Sequence, residues 1–202
     1  MNNRLIIIGA GGHGRVIADN AYKNGYKDIS FIDDFAEGLC MGYKIIGKTE
    51  DIEKYDDGKT DFVIGVGDNL TRRKLAERFS VNWISLVHPS AQIAMDAVIG
   101  EGTVIMAGAV INAGAIIGKH CIINSSSIIE HDNTIGAFAH ISPGVSLGGT
   151  VSVGEETHIG IGATVINNIN ICSGCIIGAG AVVISDIAHS GTYVGVPVKG
   201  EL

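Results

Sequence analysis

Every sixth residue from Ile93 to Val183 is Ile, Leu or Val. The ladder runs through sixteen positions without an insertion, from Ile93, Ile99 and Ile105 up to Ile171, Ile177 and Val183. The fifth residue of nearly every hexad is small, as in Thr103, Ala109, Ala115, Cys121, Ser127 and Ala139. A large aliphatic and a small residue recurring at period six describe a parallel β-helix of hexapeptide rungs, three rungs to a turn. Eighteen residues then make one turn, so residues i and i+18 stack about 5 Å apart.

The first 88 residues read differently. Arg4 to Ile8 is a buried strand, followed by Gly9-Ala10-Gly11-Gly12-His13-Gly14 and a helix over Arg15 to Asn24, with Val16, Ile17, Ala21 and Tyr22 on one side. A second strand, Ile29 to Ile32, ends at Asp33-Asp34; a third spans Asp61 to Gly67, a helix Leu70 to Phe79, and a fourth strand Trp83 to Val87. Alternating strands and helices mean a small parallel α/β domain over residues 1–88. His88-Pro89 marks its end, and residues 89–202 form the coil with a tail from Gly191 that leaves the hexad.

Gly9-x-Gly11-x-x-Gly14 after a strand, with Asp33 at the end of the next, matches the dinucleotide fingerprint formally. A tight turn leading into a helix N-terminus favours phosphate. Fewer than 90 residues cannot supply both halves of a nicotinamide site, and the Asp33-Asp34 pair can accept hydrogen bonds from a ribose or a base. A solvated turn that simply needs glycine remains open.

Composition narrows the partners. A formal charge of −7 and a pI near 5.4 argue against nucleic acid and anionic membranes. No secretory leader is visible, and the nearly uncharged stretch Thr103 to Gly118 belongs to the hexads rather than to a membrane span. A soluble, cytoplasmic protein is expected. Cys172-x-x-Cys175 is half a zinc site without its second half, so the four cysteines read as structural thiols and no metal is expected.

The ladder also serves as a ruler for the outward residues that precede each rung position. Val98, Val104, Val110, Ile116, Ile122 and Ile128 face outward on the first turns and must be covered by the first domain or by another copy. Higher up the same positions turn polar, and His158 stacks on His140. The most polar corner is Glu130-His131-Asp132-Asn133, and one turn above His131 lies Gly149. A histidine beside a bare backbone N–H is the layout of a general base next to an oxyanion donor, although a solvated corner also collects polar residues. His88, His120 and His189 read as surface residues.

Gly9-Ala10-Gly11-Gly12-His13-Gly14-Arg15, a strand ending Ile32-Asp33-Asp34, hexads carrying Asn124-Ser125-Ser126-Ser127-Ile128-Ile129-Glu130-His131-Asp132, and a closing Val194-Gly195-Val196-Pro197 together resemble one family. It is the bacterial sugar acetyltransferases with a left-handed β-helix, including N-acetyltransferases of bacillosamine and perosamine synthesis and sialic-acid O-acetyltransferases. The resemblance covers essentially the whole chain. It implies a Rossmann-like N-terminal domain, a left-handed coil, and a homotrimer with active sites between subunits and acetyl-CoA as donor. It further implies His131 as the base and Asp132, where many relatives carry Glu, as the residue orienting its ring. His140, Gly149, Ile161 and Ala179 match positions along the acetyl-CoA site. Gly11, His13, Asp33 and Asp34 match positions that hold a nucleotide-linked sugar. The expected reaction is N-acetylation of a nucleotide-linked, UDP-type 4-amino-4,6-dideoxy sugar. The alternatives are O-acetylation of sialic acid or another sugar hydroxyl, a nicotinamide oxidoreductase, and a non-catalytic β-helix binding module.

Overall fold

Leu5, Ile6, Ile7 and Ile8 are at most 1% exposed, so strand β1 (Arg4–Ile8) lies inside its sheet rather than at an edge. It pairs in parallel with β2 (Asp28–Ile32) on one side and β5 (Thr60–Ile64) on the other. A hairpin of β3 (Leu39–Cys40) and β4 (Tyr43–Gly47) extends the sheet beyond β2, giving the order β3-β4-β2-β1-β5. Two helices, α1 (Gly12–Lys23) and α2 (Asn69–Arg78), and a 3-10 turn at Thr49–Tyr55 complete this part. The computed structural model describes residues 4–201.

Helix α1 starts three residues earlier than its hydrophobic pattern predicts, because the last glycines of the loop already form its first turn. Its buried side is Gly14, Ile17, Ala18, Asn20 and Ala21, whereas Val16 and Tyr22 are exposed. Asn20 takes a core position because its side-chain amide donates to the Ile105 carbonyl of the coil at 3.2 Å. The expected fourth strand does not join the first sheet. Trp83 makes only an isolated bridge to Phe62, and Leu86–Val87 pairs with Val104–Ile105 as the first rung of the coil. The aliphatic ladder therefore starts at Val87, one hexad before the run that announces it.

The coil has three walls of stacked two-residue rungs: the first runs from Gln92–Ile93 to Val182–Val183, the second from Val98–Ile99 to Asn170–Ile171, and the third from Leu86–Val87 to Ile176–Ile177. Rungs pair in parallel at a separation of eighteen, as in Ile111 with Ile129 and Ile129 with Leu147. The ladder residues and the small fifth residues fill one interior, from Ile105 to Tyr193. Between rungs the chain turns a corner, and one residue per corner lies at positive φ: Gly102, Gly108 and Gly114, then His120, Ser126 and Asp132, and so on every sixth residue to Gly180. Left-handed backbone costs a non-glycine residue roughly 1–2 kcal/mol, and half of these corners use glycine. The tail extends the third wall: Thr192–Gly195 pairs with Ile176–Ile177, and Val198–Glu201 folds back against it.

The first domain packs on the lower third wall. Leu5, Ile17 and Leu86 share a core with the outward residues Val104 and Ile122 of the coil. Arg72 of α2, 1% exposed, fastens the join: Nε donates to the His120 carbonyl at 2.7 Å and Nη2 to the Phe138 carbonyl at 2.7 Å. Burial lowers its guanidinium to about 10, so it remains charged at neutral pH. Asn24 donates to the Val87 carbonyl and Asn69 to the Glu156 carbonyl. The other two walls stay uncovered in the single chain, with Val98, Ile116 and Ile128 at 56, 50 and 38% exposure.

His120 corrects its surface assignment. It is 4% exposed, stacked on Phe138 at 5.4 Å and 4°, with Trp83 edge-on at 5.5 Å. All four cysteines are thiols, with the sulfurs of Cys172 and Cys175 3.4 Å apart. Among the described residues no group of three or more His, Cys, Asp or Glu is placed to hold a metal ion, and no helix is long and apolar enough to cross a membrane.

Candidate functional site

The loops after β1 and β5 lie at the carboxyl ends of adjacent parallel strands, where an α/β sheet opens a crevice for ligands. Glycine shapes that crevice for definite reasons. Gly9 has φ +106, and a Cβ on Gly14 would collide with the Gly9 carbonyl. Gly11 and Gly12 have no such neighbour within 4 Å, so their bare backbone faces open space at the N-terminus of α1.

Both acidic residues at the end of β2 are already engaged. Asp33 accepts from the N–H of Ala10 at 2.7 Å through one oxygen, and from those of Phe35 and Ala36 at 2.9 and 2.8 Å through the other. Partial burial works against its ionised form, but these three donors hold the carboxyl below its ordinary range. Asp34 accepts from the backbone N–H and hydroxyl of Thr49. Asp33 thus ties the glycine loop to β2 and forms one side of a depression of about 350 Å³ with Gly38, Ile46 and Lys48.

His13 points from the head of α1 toward the coil, 6.4 Å from His140 between ring centroids. His140 stacks in turn on His158 at 4.6 Å and 8°. The pairing of rungs His140–Ile141 and His158–Ile159 brings this about. Burial, reinforced by the Arg72 charge, lowers His13 to about 4. Burial first, and then His158 and Arg72, lowers His140 to about 3. His158 is lowered for the same reasons, burial before Arg72. All three imidazoles are therefore neutral at pH 7. Beside them lies a cleft of about 530 Å³ between Gly67–Leu70 and the wall carrying His140, His158 and Ile176.

His131 stands on the opposite side of the coil, at the corner between the first and second walls. Its Nδ1 lies 2.9 Å from Asp132 Oδ2, so the shorter aspartate reaches the ring. Asp132 has φ +59, a conformation aspartate tolerates better than most residues. Both side chains are open to solvent, at 59 and 64% exposure. The ring lies against Gly149, where a Cβ would come within 2.5 Å of His131 Nε2. The i+18 stacking read from the ladder is thus a direct contact. With Nδ1–H donating to the carboxylate, Nε2 carries the free lone pair.

One chain does not gather all of these residues. His131 and Gly149 share one edge of the prism, His140 occupies the face opposite, and Ile161 and Ala179 stack on a third region, the edge between the third and first walls. Roughly 15–20 Å of packed aliphatic core separates the His131 edge from the His140 face at about 3.3 Å per residue. His13 does meet His140 within the chain, and Gly11 precedes it as the N-cap of α1. Arg72, Asn69, Asn124 and Ser142 escaped the sequence reading. The last two bond the His140 and His158 rings, and only their sequence distance of sixteen from each ring hinted at it.

Residues 4–79 match the PglD N-terminal domain, and residues 96–131 match the bacterial transferase hexapeptide (six repeats). The UDP-N-acetylbacillosamine N-acetyltransferase of Bacillus subtilis (strain 168) is 43% identical over 110 residues, half of this chain and half of that protein's length. The chain thus aligns with about half the length of this curated relative. The acetyltransferase domain of PglB from Neisseria gonorrhoeae FA1090 superposes with a TM-score of 0.95 at 39% identity, covering 98% of this chain and 99% of that one. The same domain in complex with acetyl coenzyme A gives 0.96 at 38% identity and the same coverage. PerB from Caulobacter crescentus, in complex with CoA and GDP-perosamine, gives 0.91 at 34%, covering 97% of this chain and 96% of that one. The chain belongs to the bacterial acetyltransferase family of bacillosamine and perosamine N-acetyltransferases, with its Rossmann-like N-terminal domain and left-handed β-helix of hexapeptide repeats.

Proposed function

We propose that the protein transfers an acetyl group from acetyl-CoA to the amine of a nucleotide-linked 4-amino-4,6-dideoxy sugar, with a UDP carrier expected. The observation that carries the reading is the His131–Asp132 pair, its ring seated on the backbone of Gly149 and its Nε2 free. Relatives solved in complex with acetyl coenzyme A, or with CoA and GDP-perosamine, support the donor and the class of acceptor.

In this reading Asp132 holds the Nδ1–H tautomer, and His131 Nε2 takes the proton from the sugar amine as its nitrogen attacks the thioester carbonyl. The tetrahedral oxyanion forms beside the Gly149 N–H, which donates no backbone hydrogen bond among the described residues. Collapse expels the CoA thiolate, which recovers the proton from His131. The neutral, partly apolar cleft at His140, with Ile161 and Ala179 on the neighbouring edge, suits the donor. Gly11, His13, Asp33 and Asp34 line the side proposed for the nucleotide sugar.

Because His131 and His140 lie on opposite sides of one coil, the proposed site needs a second copy. The exposed Val98, Ile116 and Ile128 provide the apolar surface for a homotrimer. A complementation experiment tests both points. His131→Ala and His140→Ala should each lose turnover in a CoA-release assay with UDP- and GDP-linked 4-amino sugars. Co-refolding the two should restore a substantial fraction of it. Full turnover by His131→Ala would remove the base, and no recovery on mixing would remove the shared site. Turnover only with hydroxyl acceptors would replace the amine.

A further inference from the structure

His140 and His158 are stacked neighbours, yet they offer the cleft different atoms. Asn124 Oδ1 accepts from the Ser125 N–H at 2.8 Å, which turns the amide Nδ2 toward His140 Nε2 at 3.1 Å. That nitrogen is therefore an acceptor already in use. The other, His140 Nδ1, is buried against the Gly67 carbonyl. His140 thus presents little more than ring edge. In His158 the ring is fixed by Ser142 Oγ at Nε2, 2.9 Å away, and no hydrogen bond occupies Nδ1 among the described residues. The ring lines the cleft between Ile176 and Leu70 in the first turn of α2, two aliphatic side chains that are 51 and 56% exposed.

We propose that His158 binds the acyl donor directly, its Nδ1 hydrogen-bonding a neutral amide of the arm that carries the thioester. The proposal rests on the reading of this cleft as the donor site. A mostly apolar cleft fixes its ligand through the few polar atoms it exposes, and here Nδ1 of His158 is such an atom. A phosphate is disfavoured as its partner, since Asp68 and Glu156 also line the cleft. Leu70 and Ile176 instead suit a flexible, largely aliphatic chain interrupted by amides.

The test compares His158→Phe and His158→Ala, which lack the nitrogen, with His158→Asn, which returns a hydrogen-bonding group near its position. Calorimetric titration with CoA, and KM for acetyl-CoA beside KM for the nucleotide sugar, are the readouts. Loss of one neutral hydrogen bond should weaken CoA about fivefold to tenfold. KM for the sugar and kcat at saturating donor should stay within about twofold, and His158→Asn should recover most of the affinity. If His158→Phe does not fold, His158→Ala against His158→Asn carries the same comparison. CoA affinity unchanged without the nitrogen, or no recovery with asparagine, overturns the proposal alone. A wild-type protein that binds no CoA overturns the donor site as well.

Discussion

Gly149→Ala isolates the contact on which the proposed chemistry depends. The added Cβ would lie 2.5 Å from His131 Nε2 and 2.6 Å from Cε1, so the ring must move by roughly 1 Å to reach ordinary contact. Gly149 is not among the glycines at positive φ, so alanine carries no backbone penalty there. His131 and Asp132 are more than half exposed, and the ring can swing outward without disturbing the core. Stability should therefore change by no more than about 0.5 kcal/mol, seen as a nearly unchanged Tm. A displacement of about 1 Å at a reacting group costs on the order of 100-fold in rate. Steady-state CoA release should accordingly show kcat down by that factor, with KM for the nucleotide sugar little affected. Because the substitution acts through the ring, His131→Ala and His131→Ala/Gly149→Ala should have the same residual rate. Gly149→Ala turnover within threefold of wild type would refute the reasoning.

Further outcomes are expected elsewhere. Arg72→Met removes buried charge-assisted hydrogen bonds to carbonyls of the coil and should cost on the order of 3 kcal/mol, a Tm loss of about 6–12 °C by calorimetry. His120 is held near pKa 4 by burial, below its unfolded value, so its contribution is fully present above about pH 6.5. That contribution falls as pH drops toward 4, by up to about 1.4 kcal/mol per pH unit. His120→Phe, which keeps the stack between Trp83 and Phe138, should flatten the acid limb of a Tm-against-pH series. An unchanged limb would show that other groups govern it. Ile116→Glu should leave the far-UV circular dichroism intact while light scattering reports monomers and turnover is lost; a trimer that survives would move the proposed interface elsewhere.

Much of the coil was legible because its physics is periodic. Each aliphatic rung residue packs on the one eighteen residues away, so Gly149 against His131 and His158 on His140 followed from counting. The α/β part was legible as strands and helices but not at its edges. Trp83–Val87 reads as one more strand of that sheet, yet Leu86 and Val87 find their partners in Val104 and Ile105. A two-residue rung is too short for composition to assign it to one sheet or another. His120 has the sequence environment of any polar corner and became a core residue because α2 and Trp83 pack over it. Arg72 looks like one charge among several on a polar helix, and only the approach of two backbone corners supplies its acceptors.

The sequence by itself determined the repeat, the stacking register and the residues that share each column, since those follow from a period that local packing enforces. Tertiary structure decided what meets across columns. It set His13 against His140, tied Asp33 to the glycine loop, and placed His131 and His140 on opposite sides of one prism. A linear pattern records distance along the chain, whereas those relations depend on how a separate sheet docks on a closed coil.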